Sequence, residues 1–582
     1  MRKTLMSALA MIAFLGLVAP AAFAQAPTPK VTITGLIDNL FSASRNQGLN
    51  ASDRNTLGGP TNPQDREFYS RTRGRFDIVG ELGKAKGVLG LELDCVYGAT
   101  GASSNSNLGK QVAAGFRPDG SGCTFGADND VTGAIEIKWM YVEVPATGPG
   151  SLLPFVPFAG TLTMGGQPYA LGLKPSILAD SDFGGFTYRV AFTPNLKASV
   201  TYAQIEERST GVQNGFFRGD DWGIIAKVDV TPMKGLTVSP IATFQEIAGT
   251  TSALLRVATG GYGVGAANFT PDSTNPAAGP FVPTNTACLG SAGGLGGRGC
   301  RPVEEKRYIV GLDADFKQGP FYLNPTFFYN FGNRQRLEDV TDPGVRVSPN
   351  IVSASESAWI ADIQGGYQLG PLLLEARGIY TTGNQTGDNL NRGTIRSYQV
   401  FQSGNSYTIG WGEAHTQGAI DYLQEFNGTS NSFSETRNIG YDRYGKGELG
   451  VRGRYAITPA LSVYGIVTPV WTAEAVHTDR VVATANGFVC NTPGEGSTHI
   501  CTRKDQSGSS SHYIGTDLTA GFTWRFAPGL TFDWVYGYLV AGNALDQVVD
   551  ICARAGGSAC GQFHKKDAAD TWVTTSRIRY QF

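Results

Sequence analysis

The sequence predicts an all-β protein, a transmembrane antiparallel β-barrel of about 18 strands, with about 16 as the alternative count. Three observations lead to this prediction. Segments of alternating apolar and polar residues follow one another from Val31 to Phe582. Short and long connections join these segments in turn, and the chain opens with the features of an export signal. We therefore expect short periplasmic turns and long external loops.

The first 24 residues have the composition of a secretory signal peptide. Arg2 and Lys3 precede a short apolar stretch, which ends at the small-residue site Ala22–Ala24. An N-terminal membrane anchor is the alternative, but the apolar run is short for one. We expect residues 1–24 to be removed and residues 25–582 to form one barrel domain without a transmembrane helix.

The charge and the histidines exclude several classes of partner. The formal net charge is −2, so no overall field would attract nucleic acid. The chain has five histidines, and none has the spacing of a metal site. We expect no nucleic-acid partner, no metal and no cofactor.

The alternating segments define the predicted strands. These are residues 31–42, 68–82, 87–97, 133–144, 158–167, 185–193, 196–206, 220–231, 235–247, 305–316, 320–331, 357–369, 371–382, 445–457, 460–474, 512–526, 529–541 and 570–582. An even number of strands places both termini of the chain on the same side of the membrane, and the short turns lie on that side too. The exception is the Pro-rich stretch 145–157, which is long for such a turn and is either an apolar plug or a contact between protomers.

The alternation also predicts which face is which. In residues 308–316 the even-numbered positions are apolar, whereas Arg307, Asp313 and Asp315 have the other parity. A soluble β-sandwich would alternate in the same way. The strand number, the two classes of connection, the export signal and the aromatic residues at strand ends favour a membrane barrel. We assign the apolar face to lipid and the charged face to a watery lumen.

The last strand, "TWVTTSRIRYQF" from Thr571 to Phe582, fits this assignment. Trp572, Tyr580 and Phe582 share one face, and Arg577 and Arg579 share the other. We expect this strand to close the barrel against the first one.

Three stretches resemble the trimeric porins of Gram-negative outer membranes. "VTITGLIDNLFSAS" (Val31–Ser44) resembles the opening strand of that family, and "GTLTMGGQP" (Gly160–Pro168) resembles the strand ahead of its pore-constricting third loop. "RIRYQF" resembles the terminal strand, whose final Phe is read by the barrel-assembly machinery. General porins have sixteen strands, and this chain is longer than most of them.

The resemblance implies a function and a set of partners. It implies an integral protein of the outer membrane, embedded in its lipid, that forms a homotrimer. Each protomer would be a water-filled channel for passive diffusion of ions and small hydrophilic solutes. Tyr580 and Phe582 would form the assembly signal for the barrel-assembly machinery.

Two groups of charged residues are candidates for the pore. Arg71, Arg73 and Arg75 occupy alternate positions along the second strand, and Arg577 and Arg579 lie on the last strand. In a closed barrel, only the first strand separates these two strands. They predict a basic stretch of the inner wall. The alternative is a solvated sheet face without a role in selectivity.

The third long connection, residues 169–184, is the candidate for the constricting loop. If it folds inward as in the family, Asp180 and Asp182 face the basic wall, and opposed charges across a narrow pore act on passing solutes. Lys174 lies in the same loop and makes it less acidic. The alternative is an ordinary loop at the external rim.

The eight cysteines fall in long connections or at their borders. Because an exported protein can form disulfides, we expect nearest-neighbour bridges that stiffen the external loops. The alternative is free thiols or partial pairing. The expected pairs are Cys95 with Cys123, Cys288 with Cys300, Cys490 with Cys501, and Cys552 with Cys560.

Two other functions are possible for such a barrel. A barrel hydrolase would need a nucleophile and a histidine base, and only His512 with Ser509–Ser511 offers that combination, without a third member. A surface adhesin with a blocked lumen would suit the long loops, of which residues 383–444 form the longest. We expect a channel rather than an enzyme.

Overall fold

A computed structural model describes most of the chain. The described residues are 28–45, 66–97, 123–125, 136–206, 221–247, 301–340, 348–384, 393–403, 410–416, 445–477, 482–484, 487–489, 510–545, 547–550, 563–566 and 570–582. The predicted signal peptide lies outside them.

Eighteen long strands form the wall of the molecule. They are β1 (Lys30–Arg45), β2 (Arg66–Leu82), β3 (Ala85–Tyr97), β4 (Glu136–Thr147), β5 (Ala159–Leu171), β6 (Ala179–Thr193), β7 (Leu196–Glu206), β8 (Asp221–Met233), β9 (Leu236–Ile247), β10 (Arg301–Gln318), β11 (Phe321–Val340), β12 (Ser348–Leu369), β13 (Leu372–Thr381), β14 (Gly447–Ala456), β15 (Leu461–His477), β16 (Ser510–Ala527), β17 (Leu530–Ala541) and β18 (Thr571–Gln581).

Each strand pairs antiparallel with the next, and the last strand closes the sheet against the first. In the closing pair, Asp38 of β1 lies opposite Arg579 of β18, and Asp38 lies opposite Arg73 of β2 on its other side. Closure pairs the two edge strands that an open β-sheet would expose. This is necessary in a membrane, because backbone N–H and C=O groups there must be hydrogen-bonded within the protein. The predictions of an all-β antiparallel barrel and of 18 strands are confirmed.

Short elements accompany the wall. Three small strands pair in parallel with wall strands: Cys123–Phe125 with β3, Gly393–Ile395 with β12, and Gln402–Ser403 with β6. One helical turn, α1, spans Glu413–Thr416, and 3₁₀ turns span Pro175–Ile177 and Asn543–Leu545. Among the described residues, no helix is long and apolar enough to cross a membrane.

The outer face of the barrel is apolar, as the alternation of apolar and polar residues along the strands predicted. On β10, Tyr308, Val310 and Leu312 are exposed to the outside, whereas Arg307 and Asp313 are buried within. The outer face of β6–β11 carries a continuous row of ring contacts with centroids 5.1–6.0 Å apart. The row consists of Phe186, Tyr202, Trp222, Phe244, Tyr308 and Phe331. Aromatic residues are the usual anchors of a barrel at the membrane interface.

The connections differ from the prediction at three places. The connection between β5 and β6 has only residues 172–178, and that between β11 and β12 only residues 341–347, because all four strands continue further than their alternation indicated. The Pro-rich connection between β4 and β5 covers residues 148–158 rather than 145–157. Two of the predicted long connections are therefore shorter than expected, and the connection 148–158 remains the exception among the short turns.

Candidate functional site

The β5–β6 hairpin leaves the wall before it ends. Pairing of β5 with β4 reaches only Gly166, and pairing of β6 with β7 reaches only Gly184. The two strands nevertheless stay paired with each other as far as Leu171 and Ala179. Residues 167–183, which we call the lumenal hairpin, thus have no wall neighbour on either side and turn into the barrel.

Four glycines lie where the lumenal hairpin leaves the wall. Gly165 lies opposite Gly185, and Gly166 lies opposite Gly184. Gly165 has φ 127°, and a Cβ there would lie 2.4 Å from the Met140 carbonyl oxygen. A Cβ on Gly185 would lie 2.0 Å from the carbonyl oxygen of Tyr202. Residues without a Cβ are therefore required where the hairpin bends against its neighbours.

One face of the lumenal hairpin is apolar and packed. Tyr169 and Phe183 on its strands, and Ile177 and Leu178 in its turn, are buried. They pack against lumen-facing apolar residues of seven consecutive strands, β7–β13, which we call the apolar half. The wall residues of this cluster are Ala203, Ile225, Ile241, Ile309, Phe328, Ala358, Ile360 and Ile379.

A segment of the longest connection completes this core. Residues 393–403, the inward segment, bring Tyr398 and Phe401 into the cluster. The Tyr398 hydroxyl donates to the Ile177 carbonyl oxygen at 2.8 Å, and the Phe401 N–H donates to the Leu178 carbonyl oxygen at 2.9 Å. Burial raises the pKa of Tyr398 well above its usual value, so the hydroxyl remains a donor. The apolar half is filled by protein.

The turn of the hairpin reaches the far wall. The Leu173 N–H donates to Asp313 Oδ2 of β10 at 3.1 Å. Lys174 Nζ lies 3.0 Å from Asp362 Oδ1 of β12. The hairpin therefore crosses the lumen from β5–β6 to β10–β12.

The opposite face of the hairpin borders an open space. Pro168 is exposed, and Asp182 Oδ2 lies 3.5 Å from Lys138 Nζ of β4. Between the hairpin and the wall of β1–β4 lies a cavity of about 340 Å³. Its lining residues are Thr34, Asp77, Val79, Glu81, Lys86, Val88, Trp139, Tyr141 and Pro168.

Alternating charges follow the wall beside this space, on β17, β18 and β1–β4, which we call the charged half. Glu92 of β3 forms ion pairs with Arg73 at 3.4 Å, with Arg75, and with Lys138 at 3.2 Å. These residues belong to a belt of five cations and four carboxylates. The belt consists of Arg577 with Asp533, Arg579 with Asp38, and Arg73, Arg75 and Lys138 with Glu92 and Asp182.

The belt differs from a purely basic wall in two ways. Carboxylates separate the arginines, because each Arg lies beside an acidic residue of a neighbouring strand. Exposure also varies along β2: Arg71 and Arg73 are buried, whereas the Arg75 side chain is 36% exposed. Of the three predicted arginines of β2, Arg75 is thus the most exposed to solvent.

A second inward segment, residues 410–416, lies on the wall between the two halves. The Trp411 N–H donates to Glu448 at 2.7 Å, and the His415 N–H donates to Asp517 at 2.7 Å. The Arg452 guanidinium lies 4.4 Å from the centroid of the Trp411 ring. This segment includes α1 and narrows the lumen on the side of β14–β17.

The other predicted residues are placed as follows. Asp180 and Asp182 lie on β6, within the lumenal hairpin, and Lys174 lies in its turn. The predicted loop 169–184 is therefore mostly paired strand rather than loop. Phe582 closes against Gly35 by two backbone hydrogen bonds of 3.0 and 3.1 Å, and its ring lies 5.5 Å from that of Tyr580.

Only some of the cysteines and histidines singled out in the sequence lie within the described residues. The backbone register places Cys95 of β3 opposite Cys123. The other six cysteines lie outside the described residues. His512 Nδ1 lies 3.0 Å from the Thr472 carbonyl oxygen. Within the described ranges, no group of His, Cys, Asp or Glu has the arrangement of a metal site.

Sequence reasoning missed the apolar half, although the sequence contains a signal for it. Where a strand crosses this half, two apolar residues stand side by side and the alternation is interrupted. The pairs are Ile224-Ile225, Ile309-Val310, Phe327-Phe328, Trp359-Ile360 and Ile379-Tyr380. In each pair one residue faces outward and the other faces the lumen.

Comparison with known proteins gives a likeness of fold only. No protein-family model matches the sequence, and no curated protein matches it. Pseudomonas aeruginosa OpdK with vanillate is similar over 95% of this chain and 98% of its own, at 9% identity and a TM-score of 0.41. A BenF-like porin from Pseudomonas fluorescens Pf-5 has the same four values. P. aeruginosa OccK8 (OprE) has 9% identity and a TM-score of 0.40, with coverages of 95% and 98%.

Likenesses at these scores do not support an inference about solutes or assembly. The structure itself provides the stronger observation. Its sheet is closed, its outer face is apolar and rich in aromatic rings, and its charged side chains face the lumen. Such an exterior requires a lipid environment. The chain is an integral membrane β-barrel of 18 strands.

Proposed function

We propose that this barrel is a channel for passive diffusion of ions and small hydrophilic solutes, and that they pass along the charged half. One observation carries the proposal. The lumenal hairpin fills the apolar half but leaves an open space on its other face, beside the belt. There the side chains of Arg75 and Asp182 are 36% and 41% exposed.

The electrostatics of this space suit small charged and polar solutes. Asp182 projects from the hairpin, and Lys138 and Arg75 project from the wall, so charges of both signs border the passage. At physiological salt such fields extend about 8–10 Å, which is comparable with the radius of a narrow pore. Solutes passing there would interact with several side chains at once.

The finer predictions from sequence belong to the same proposal. The channel assembles as a homotrimer, Tyr580 and Phe582 are read by the barrel-assembly machinery, and four disulfides stiffen the external loops. The exposed phenyl rings of Phe155 and Phe158 in the connection 148–158 suit a contact surface. Chemical crosslinking in native membranes tests the trimer, and non-reducing peptide mapping tests the disulfides.

Single-channel recording in a planar bilayer tests the proposal. We expect discrete conductance steps, and a salt gradient should give a reversal potential that depends on Arg75 and Asp182. Absence of any conductance from correctly folded protein would contradict the proposal.

The apolar half favours one other candidate, a surface barrel with a blocked lumen. Two inward segments and the hairpin already occupy part of the lumen. A blocked barrel would give no conductance, whereas the proposed channel conducts through the remaining space.

A further inference from the structure

The ammonium group of Lys174 lies in an unusually complete set of acceptors. Besides Asp362 Oδ1, it donates to the carbonyl oxygens of Asp362 at 2.6 Å and Asn324 at 2.9 Å, and to Thr326 Oγ1 at 3.2 Å. Its side chain is only 10% exposed. All these acceptors belong to β11 and β12, on the far side of the lumen from β5–β6.

The hairpin needs an anchor of this kind. It leaves the wall at four glycines, which give its base little resistance to bending. The hydrogen bonds to β4 and β7 end there. Beyond that point the hairpin is held by its apolar face, by its pairing with Gln402–Ser403, by the Asp182–Lys138 ion pair and by the contacts of its turn.

The anchor also fixes the position of the opposite face. Pro168 and Asp182 lie directly opposite each other on the two paired strands that the turn connects. A movement of the turn away from β12 would therefore move both residues relative to Lys138 and Arg75. The width and the charge of the passage depend on where the turn is held.

We propose that Lys174 is a positioning residue: its contacts with β11 and β12 hold the lumenal hairpin against the far wall and thereby set the passage on the other side. This assigns Lys174 a role different from that of a selectivity charge, because its ammonium is directed away from the passage. The inference rests on the proposed channel function.

The test compares two lysine variants of the lumen. Lys174→Met removes the anchor, and Lys227→Met is the matched control. Lys227 pairs with Asp229 of its own strand at 2.9 Å and does not join the hairpin to the wall. In single-channel records we expect about tenfold more frequent transitions between conductance levels for K174M than for K227M, because several charge-assisted hydrogen bonds are lost.

A second readout separates positioning from general stability. Asp182→Asn should shift the reversal potential in an otherwise unchanged protein, and the shift should be smaller in the K174M background. Equal shifts in both backgrounds, with equal transition frequencies for K174M and K227M, would overturn the inference.

Hydrogen exchange keeps the inference testable when the protein does not conduct. In K174M, faster amide exchange should be confined to residues 167–183, with the rest of the barrel as in K227M. A missing conductance of the wild type contradicts the channel, whereas unchanged exchange of the hairpin contradicts the anchor. If K174M does not fold, Thr326→Val removes a single acceptor, and we expect a smaller increase in exchange at the same residues.

Discussion

The two halves of the lumen differ in what covers their inward-facing side chains. On β7–β13 a row of apolar side chains lies on the inner wall beside buried charged residues such as Arg307 and Asp362, and the lumenal hairpin and the inward segment cover this row. On β17, β18 and β1–β4 the belt residues are charged, and solvent reaches Arg75 on this wall and Asp182 on the hairpin that faces it. Apolar groups facing a watery lumen would be costly, so an apolar row on the inner wall indicates that protein fills the space in front of it. A charged row needs no such cover.

The largest effect is expected where the charged half is buried. Glu92 contacts Arg73, Arg75 and Lys138, and its side chain is only 6% exposed. Glu92→Gln should lower the free energy of unfolding by about 3–5 kcal/mol, because it removes the buried carboxylate charge that Arg73, Arg75 and Lys138 share. Urea unfolding of the barrel in lipid vesicles measures this.

The matched control is the exposed pair on the neighbouring strand. Glu81 contacts Lys30 at 3.5 Å, and its side chain is 44% exposed. Glu81→Gln should change the free energy of unfolding by less than about 1 kcal/mol. Equal effects of the two substitutions would mean that the belt does not stabilise the charged half.

A smaller effect is expected in the apolar half. Tyr398→Phe keeps the ring but removes the buried hydrogen bond to the Ile177 carbonyl oxygen. We expect a loss of about 1–2 kcal/mol in the stability of the packed core, measured as hydrogen exchange of residues 167–183. Tyr202→Phe, which removes an exposed hydrogen bond to Gln204 on the outer face, should leave that exchange unchanged. The same exchange rates in both variants would contradict a packed apolar half.

The smallest effect on folding, but a clear one on permeation, is expected at the partly exposed charges. Arg75→Gln should shift the reversal potential toward cation preference, and Asp182→Asn should shift it the other way. Both shifts should shrink at high salt, where the screening length falls to about 3 Å at 1 M. Single-channel recording in a salt gradient measures them.

The control for these shifts is a charge outside the passage. Lys84 lies in the turn between β2 and β3, where it donates to the Pro149 carbonyl oxygen. Lys84→Gln should leave the reversal potential nearly unchanged. A shift as large as that of Arg75→Gln would place the selective region at the mouth of the barrel instead of beside the belt.

The wall of the barrel followed from local pattern. A period of two fixes the two faces of each strand, so the lipid-facing and lumen-facing residues of β10 could be predicted without tertiary information. The closing pair of β1 and β18 could be predicted from strand number alone. The limits of β11 and β12 could not, because their extensions beyond the alternating segments are paired with each other.

The arrangement of side chains in the lumen could not be predicted from any short stretch of sequence, because it depends on the register between strands. Lys138 reaches the belt because it is the extra residue of a β-bulge: Trp139 lies opposite Gly90, and Ile137 lies opposite Leu91. The bend of the lumenal hairpin depends on two glycine pairs that lie opposite each other only in the folded register. The partners of Arg73 and Arg579 likewise follow from strand register, although the arginines themselves could be selected by parity.

Thiol accessibility tests the division of the lumen most directly. Pro168→Cys places a thiol on the open face of the hairpin, and Ile225→Cys places one beneath the apolar core, where Ile225 is 1% exposed. Adding a charged, thiol-specific reagent during single-channel recording should reduce the conductance of P168C and leave that of I225C and the wild type unchanged. Block of I225C with no effect on P168C would show that solutes pass through the apolar half, and would contradict the account.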